Sequence, residues 1–220
     1  MAATIQVGER APAFSLPAIN REGSVSLADY HGRRAVMVGL FRGLHCPFCR
    51  RQIVLLGSVQ PALSALGVET LAVVNTPLER ARLYFRYRPV PITLLSDPHC
   101  ETHKAFGIPR IEFLPEEGEP GQWPRTRPQD FAAARIDPTG ELGRPTQPME
   151  ANVVLNRKDG FELTKVDEEI FEAHGTQSAG HFLIDREGVV RWRWTEAPQS
   201  PNELCRFPRA EEMLDAARQM

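Results

Sequence analysis

Ala35-Val-Met-Val-Gly-Leu-Phe41-Arg-Gly-Leu-His45-Cys46-Pro47-Phe-Cys49-Arg-Arg51 is the stretch on which the fold turns. Ala35 to Phe41 is short, continuous and apolar, with Arg33 and Arg34 before it and Arg42-Gly43 after it. That pattern reads as a buried central strand. Pro47 suits the first position of a helix, where a missing N–H costs nothing. Ile53, Leu56, Val59, Leu63 and Leu66 then recur at helical spacing, and Gly67 ends the run. The turn between strand and helix puts Cys46 at or beside the N-cap. Free backbone N–H groups and the positive end of the helix dipole favour a thiolate there. Arg42, His45, Arg50 and Arg51 add positive potential. In such settings a cysteine titrates at about 3.5–7.5 instead of about 8.5. Cys49 follows one helical turn later and can close a disulfide with Cys46, so the pair can cycle between dithiol and disulfide.

Working outward, Val68 to Asn75 reads as a second buried strand. Thr76 as N-cap and Pro77 at the first position open a helix to Tyr87. Ile92 to Leu95 is a short strand, and Asp97-Pro98 opens a helix to about Phe106. The βαβαβα alternation predicts an α/β fold with a largely parallel sheet. A Cys-x-x-Cys at the strand-to-helix junction of such a unit marks a thioredoxin-like redox site. The regularity breaks between Ile111 and Met149, which hold seven prolines and four glycines. Connections this long inside a domain are usually functional, so an insertion over about 111–178, shaped as a lid, is expected. Within it, Ala151 to Leu155 reads as an added strand and Lys165 to His174 as a short helix. His181 to Asp185 and Val189 to Thr195, around Gly188, form a hairpin. Arg191-Trp-Arg-Trp194 alternates as an outer strand should. Pro208 to Met220 is a terminal helix. At about 150 residues per domain, 220 residues admit one domain with an insertion. The last strands have no separate core to join, so one domain is expected.

The apolar share of 42% and charged share of 25% are those of a globular chain. A net charge of −2 gives no bulk attraction to nucleic acid or anionic membrane. The basic and aromatic mixture from Arg82 to Arg88 reads as an amphipathic helix with a solvated side. The first ten residues lack the apolar core of a secretory signal, and no apolar run approaches a membrane span. A cytoplasmic setting is expected, where a close cysteine pair is catalytic or metal-binding rather than structural. No Gly-rich phosphate loop or HExxH appears, and no cofactor is expected. Cys100-Glu-Thr-His103 has metal-ligand spacing, so Cys46, Cys49, Cys100 and His103 form an alternative zinc set. Otherwise Cys100 reads as a small buried helix residue and Cys205 as an inert thiol. His181 falls on the strand expected beside the cysteine pair and is a candidate supporting residue with Arg42, His45 and Pro47.

The chain resembles the redoxins of the alkyl hydroperoxide reductase/thiol-specific antioxidant (AhpC/TSA) family, in particular a subgroup carrying Cys-x-x-Cys. The resemblance rests on Val7 to Pro17, Ser26 to Gly32, Phe41 to Cys49, Leu94 to Pro98, Phe106 to Ile108 and Gly180 to Val190. It implies a thioredoxin-like fold with an N-terminal β extension over about residues 3–32. It also implies an antioxidant thiol-disulfide oxidoreductase that reduces peroxides or disulfides through Cys46 and Cys49. A thioredoxin- or glutathione-type reductant would reset the pair, and a homodimer is an open assembly. Non-catalytic redoxin-fold interaction is the further alternative. The pattern has departures. In the family a Pro and a Thr precede the peroxide-reactive cysteine by seven and three residues; if Cys49 takes that position, Arg42 and Cys46 stand in their places. The family's later Arg would fall near Ala179, and Gln177 to His181 lacks the cis-Pro of thioredoxins. Two orders of attack are therefore open, with Cys46 favoured for disulfide exchange because the N-cap activates it.

Overall fold

The computed structural model describes residues 4–117, 119 and 121–220. Residues 1–3 of the stretch read above for a secretory signal, and with them the first residue of the expected β extension, lie outside the described residues. A five-stranded sheet organises the chain, in the order β5-β4-β3-β8-β9. Its strands are β3 (Ala35–Phe41), β4 (Val68–Val74), β5 (Thr93–Ser96), β8 (Gly180–Ile184) and β9 (Val190–Thr195). β3, β4 and β5 are mutually parallel, whereas β8 pairs antiparallel with β3 and β9 antiparallel with β8. The sheet is thus mixed rather than largely parallel. The reason is the hairpin: Asp185 Oδ1 accepts from Val189 N at 2.8 Å and Gly188 takes a φ of +83°, which turns β9 straight back.

Every residue of β3 is buried, because both of its faces are covered. Met37 and Phe41 face α1 (Pro47–Ala65), which lays Ile53, Leu56 and Leu63 on the sheet beside Met213 of α7 (Ala210–Arg218). Val36, Val38 and Leu40 face the other way, into a second cluster with Phe14, Val25, Phe106 and Phe182. Each such large side chain contributes about 1.5–3 kcal/mol when fully buried. The N-terminal extension supplies that second cover. It is a hairpin of β1 (Ser15–Pro17) and β2 (Ser24–Ser26), tied to the sheet by Ile19 N donating to Leu94 O at 2.8 Å.

Local expectations shift at three points. α2 runs Leu78–Tyr87 with Pro77 in the N-cap position. Thr76 is not a cap; its Oγ1 accepts from Leu44 N at 3.0 Å and so holds the loop that leads to Cys46. α3 is short, Glu101–Ala105, because the Asp97 carboxylate accepts from the N–H groups of Glu101 and Thr102 and delays the start. Ala151 to Leu155 is no strand; it lies within α5 (Pro148–Lys158), where Ala151, Leu155 and Asn156 make one buried face at helical spacing. The rest of the insertion is β6 (Glu112–Phe113) paired in parallel with β7 (Arg125–Thr126), α4 (Pro128–Ala133) and α6 (Lys165–His174). The α6 boundaries coincide with those expected, and Thr164 and Asp167 form a reciprocal capping box there.

Candidate active site

β3 ends at Phe41, the chain turns through Arg42 to His45, and α1 begins at Pro47. Gly43 is required in that turn: a Cβ there would sit 2.8 Å from Asn75 Oδ1 and 3.0 Å from His45 Nδ1. Cys46 is the N-cap in extended conformation, and its Sγ accepts from Cys49 N at 3.2 Å. A sulfur thus takes the place usually held by a capping oxygen. Burial pushes the Cys46 thiol up, but hydrogen bonds from Cys49 and the charge of Arg42 outweigh it and bring it from 9.0 to about 6. Cys49 goes the opposite way. Burial and the neighbouring Cys46 hold its thiol well above the ordinary value. One thiolate and one neutral thiol side by side, both buried, are the starting state for attack followed by resolution.

Arg42 is the cation of the site. Its guanidinium is bidentate to Glu196, with both contacts at 2.7 Å, and donates to Gln177 O at 3.1 Å and to Cys205 Sγ at 3.6 Å. Burial alone would lower its pKa; Glu196 and the three nearby cysteines reverse that, so it stays ionised. Glu196 is fully buried and also accepts from Ala179 N at 2.8 Å and Cys205 N at 2.7 Å. A buried charge so completely bonded is held rather than merely tolerated. Position 179 is an alanine, and the buried cation near the thiols is Arg42. Glu196 carries no sequence signal: it follows an outer strand in Thr195-Glu196-Ala197-Pro198, and only folding brings it to Arg42.

Arg50 and Arg51 do not face the thiols. Arg50 donates to Leu44 O, to Asn156 at 2.9 Å and to Asp159 at 2.6 Å, and stacks 4.0 Å over the Phe161 ring. Arg51 pairs with Glu141 and Asp159. Both arginines clamp the insertion to α1. Asn156 adds a bond from its Nδ2 to His45 O at 3.0 Å. The result is a small cavity of about 60 Å³ at Cys46, walled by Arg42, His45 and Cys205 and by Ile111, Phe131, Met149 and Phe171 of the insertion. The expected insertion therefore forms the roof of the site.

His45 is 2% exposed, packs edge-on against Phe171, and has no partner for either ring nitrogen among the described residues. Burial, helped by Arg42, lowers it to about 3, so it is neutral. His181 is not among the residues lining the cavity. It sits in an aromatic cage of Phe41, Trp194 and Phe207, with ring centroids 5.1–5.9 Å away, and burial lowers it to about 3. Pro47 occupies the first helical turn as expected. Cys100, at a left-handed φ of 55°, accepts from Asn75 at 3.3 Å, and burial raises its thiol to about 11. Among the described residues no group of three or more His, Cys, Asp or Glu is placed to hold a metal, so the Cys46, Cys49, Cys100 and His103 zinc set has no support. Cys205, expected as an inert thiol, lies on the cavity wall, and burial holds its thiol well above the ordinary value.

Fold and motif together define a thioredoxin-like redoxin. A profile of the AhpC/TSA family matches residues 7–143, and the chain belongs to that family. It is 30% identical over 105 residues to the protein named peroxiredoxin bcp in Haemophilus influenzae, covering 47% of this chain and 66% of that one. A Coxiella burnetii protein of the same name is 29% identical over 140 residues, 56% of this chain and 91% of its own. Among solved structures, peroxidoxin BcpB of Mycobacterium tuberculosis superposes with a TM-score of 0.58 at 12% identity, covering 98% of each chain. The reduced 2-Cys peroxiredoxin of Plasmodium vivax superposes with 0.59 at 16% identity, covering 96% of this chain and 80% of its own. At such identities the superpositions speak for the fold.

Proposed function

We propose that the protein is a thiol-dependent peroxidase in which Cys46 attacks and Cys49 resolves. The observation that carries this reading is the Cys46 thiolate at a helix N-terminus, beside Arg42, in a small cavity of about 60 Å³. Water occupies about 30 Å³ in the liquid, so the space suits a small hydroperoxide and not a folded disulfide partner. Cys46 sulfur attacks the peroxide O–O bond, giving Cys46 sulfenic acid and an alcohol or water. The Cys49 thiol then displaces hydroxide from that sulfur, its proton leaves in the water formed, and a Cys46–Cys49 disulfide results. Arg42 offsets the negative charge at the sulfur and at the leaving oxygen, the role the family gives to its later arginine. A cytosolic thioredoxin- or glutathione-type thiol supplies the two electrons and two protons that reset the pair. Disulfide exchange with a larger partner requires the insertion to move away from His45 and Arg51.

The test is thiol counting by intact mass. The reduced protein receives one equivalent of hydrogen peroxide and is alkylated at timed intervals. Loss of two sites within seconds, mapped to Cys46 and Cys49, is the expected result. Oxidation over many minutes rejects peroxide as substrate and favours slower disulfide exchange. No oxidation at all favours the non-catalytic interaction module.

A further inference from the structure

We propose that Cys205 is a second resolving thiol, which competes with Cys49 for the oxidised sulfur of Cys46 and closes a Cys46–Cys205 disulfide. The inference rests on Cys46 being the thiol that meets the oxidant. Three observations place Cys205 in this role. Cys205 and Cys46 wall the same cavity. One guanidinium serves both: Arg42 donates to Cys205 Sγ at 3.6 Å and contributes the positive charge that favours the Cys46 thiolate. The backbone at Cys205 is held in an uncommon state, with φ of 61°, by the bond from its N–H to Glu196 at 2.7 Å. A non-glycine residue pinned in the left-handed region, at the wall of a reactive cavity, is strain that points to use.

The electrostatics give the order of events. Burial holds the Cys205 thiol well above its ordinary value, and the charges on Glu196 and then Cys46 add to that. Cys205 therefore stays a neutral thiol while Cys46 is a thiolate. Conversion of Cys46 to its sulfenic acid removes that negative charge, so one of the two charges opposing Arg42 at Cys205 is lost and Glu196 alone remains. The Cys205 thiol attacks the Cys46 sulfur; an S–S bond forms, the S–O bond breaks, and the thiol proton leaves with hydroxide as water. The two electrons lost by the thiols are those the peroxide accepted in the first step. Cys205 is also only half-buried, whereas Cys46 and Cys49 are buried.

The test uses Cys49→Ser and Cys49→Ala in the full chain, with wild type beside them. Each reduced protein receives two equivalents of hydrogen peroxide, enough to carry an unresolved Cys46 through sulfenic to sulfinic acid, and is alkylated, digested with trypsin and mapped without reductant. Cleavage after arginine places position 46 in peptide 43–50 and Cys205 in peptide 194–206. The expected result in both variants is a reducible cross-link of these two peptides holding more than half of the Cys46. Adding Cys205→Ser to either variant removes the cross-link and leaves Cys46 as sulfinic acid. Sulfinic acid at Cys46 in the single variants, with Cys205 still fully alkylated, overturns the role of Cys205 alone. A wild type whose Cys46 does not oxidise overturns the peroxidase reading and this inference together. Diamide oxidation of the same variants checks the geometry without a sulfenic acid, and must give the same cross-link.

Discussion

Replacing Arg42 by Met separates the two things this guanidinium does. It leaves the Glu196 carboxylate, fully buried, facing an apolar side chain. Removing one partner of a buried pair typically costs about 3–5 kcal/mol, whereas removing both charges together recovers much of the loss. Arg42→Met should therefore unfold at markedly lower urea in reductant, and Arg42→Met/Glu196→Gln should regain most of the difference. The thiol follows a different order. Arg42 lowers the Cys46 pKa and Glu196 raises it by less, so removing both still leaves a net rise, and removing Arg42 alone gives the larger rise. At a pKa of about 6, Cys46 is about 90% thiolate at pH 7 and about half at pH 6. A rise of about one unit in the double variant reduces these to about 50% and about 9%. The alkylation rate of Cys46 should then fall about twofold at pH 7 and about fivefold at pH 6. The assay is the iodoacetamide rate between pH 4.5 and 9, with Cys46 identified by peptide mapping. A double variant that regains stability yet still titrates near 6 refutes the assignment of Arg42 as the thiolate's cation.

Three further outcomes are expected. His45 and His181 are held neutral at about 3 against an ordinary 6.5, so the unfolded chain binds protons that the folded chain refuses. Stability from these groups is complete above pH 6.5 and falls as pH drops toward 3, by about 1–2 kcal/mol per histidine at pH 5; His181→Phe, which suits its cage, should flatten that slope in urea titrations. Asp159→Asn weakens the bonds from Arg50 and Arg51 that hold the insertion over Cys46; a bulky maleimide should label Cys46 several-fold faster while iodoacetamide labels it at the unchanged rate, and equal rates for both reagents would deny the insertion its covering role. Gly180→Ala would press a Cβ against Ile108 Cδ1, which is buried beside Phe182; overpacking of this kind costs about 1–3 kcal/mol, read as a lowered thermal midpoint.

The order of strands and helices around the cysteine pair was legible in the sequence because its signals are local. Seven apolar residues in a row, Pro at the first helical position and apolar side chains at helical spacing each act within a turn or two of chain. They were enough to place Cys46 at the end of a strand and the start of α1. The same locality explains the misreadings: Ala151 to Leu155 is apolar enough for a strand, and only its packing against α1 selects the helix. What decides the chemistry lies between distant positions. Arg42 finds Glu196 across 154 residues and Cys205 across 163, and Arg50 reaches Asp159 across 109. Arg42, Arg50 and Arg51 look alike in sequence, yet one faces the thiols and two are consumed in holding the insertion. A pKa is set by burial and by the charges that face a group, and both are properties of the packed chain. The sequence by itself therefore determined that two thiols meet at a helix start; tertiary structure decided which of them is the thiolate, which cation stabilises it, and that a third thiol shares its cavity.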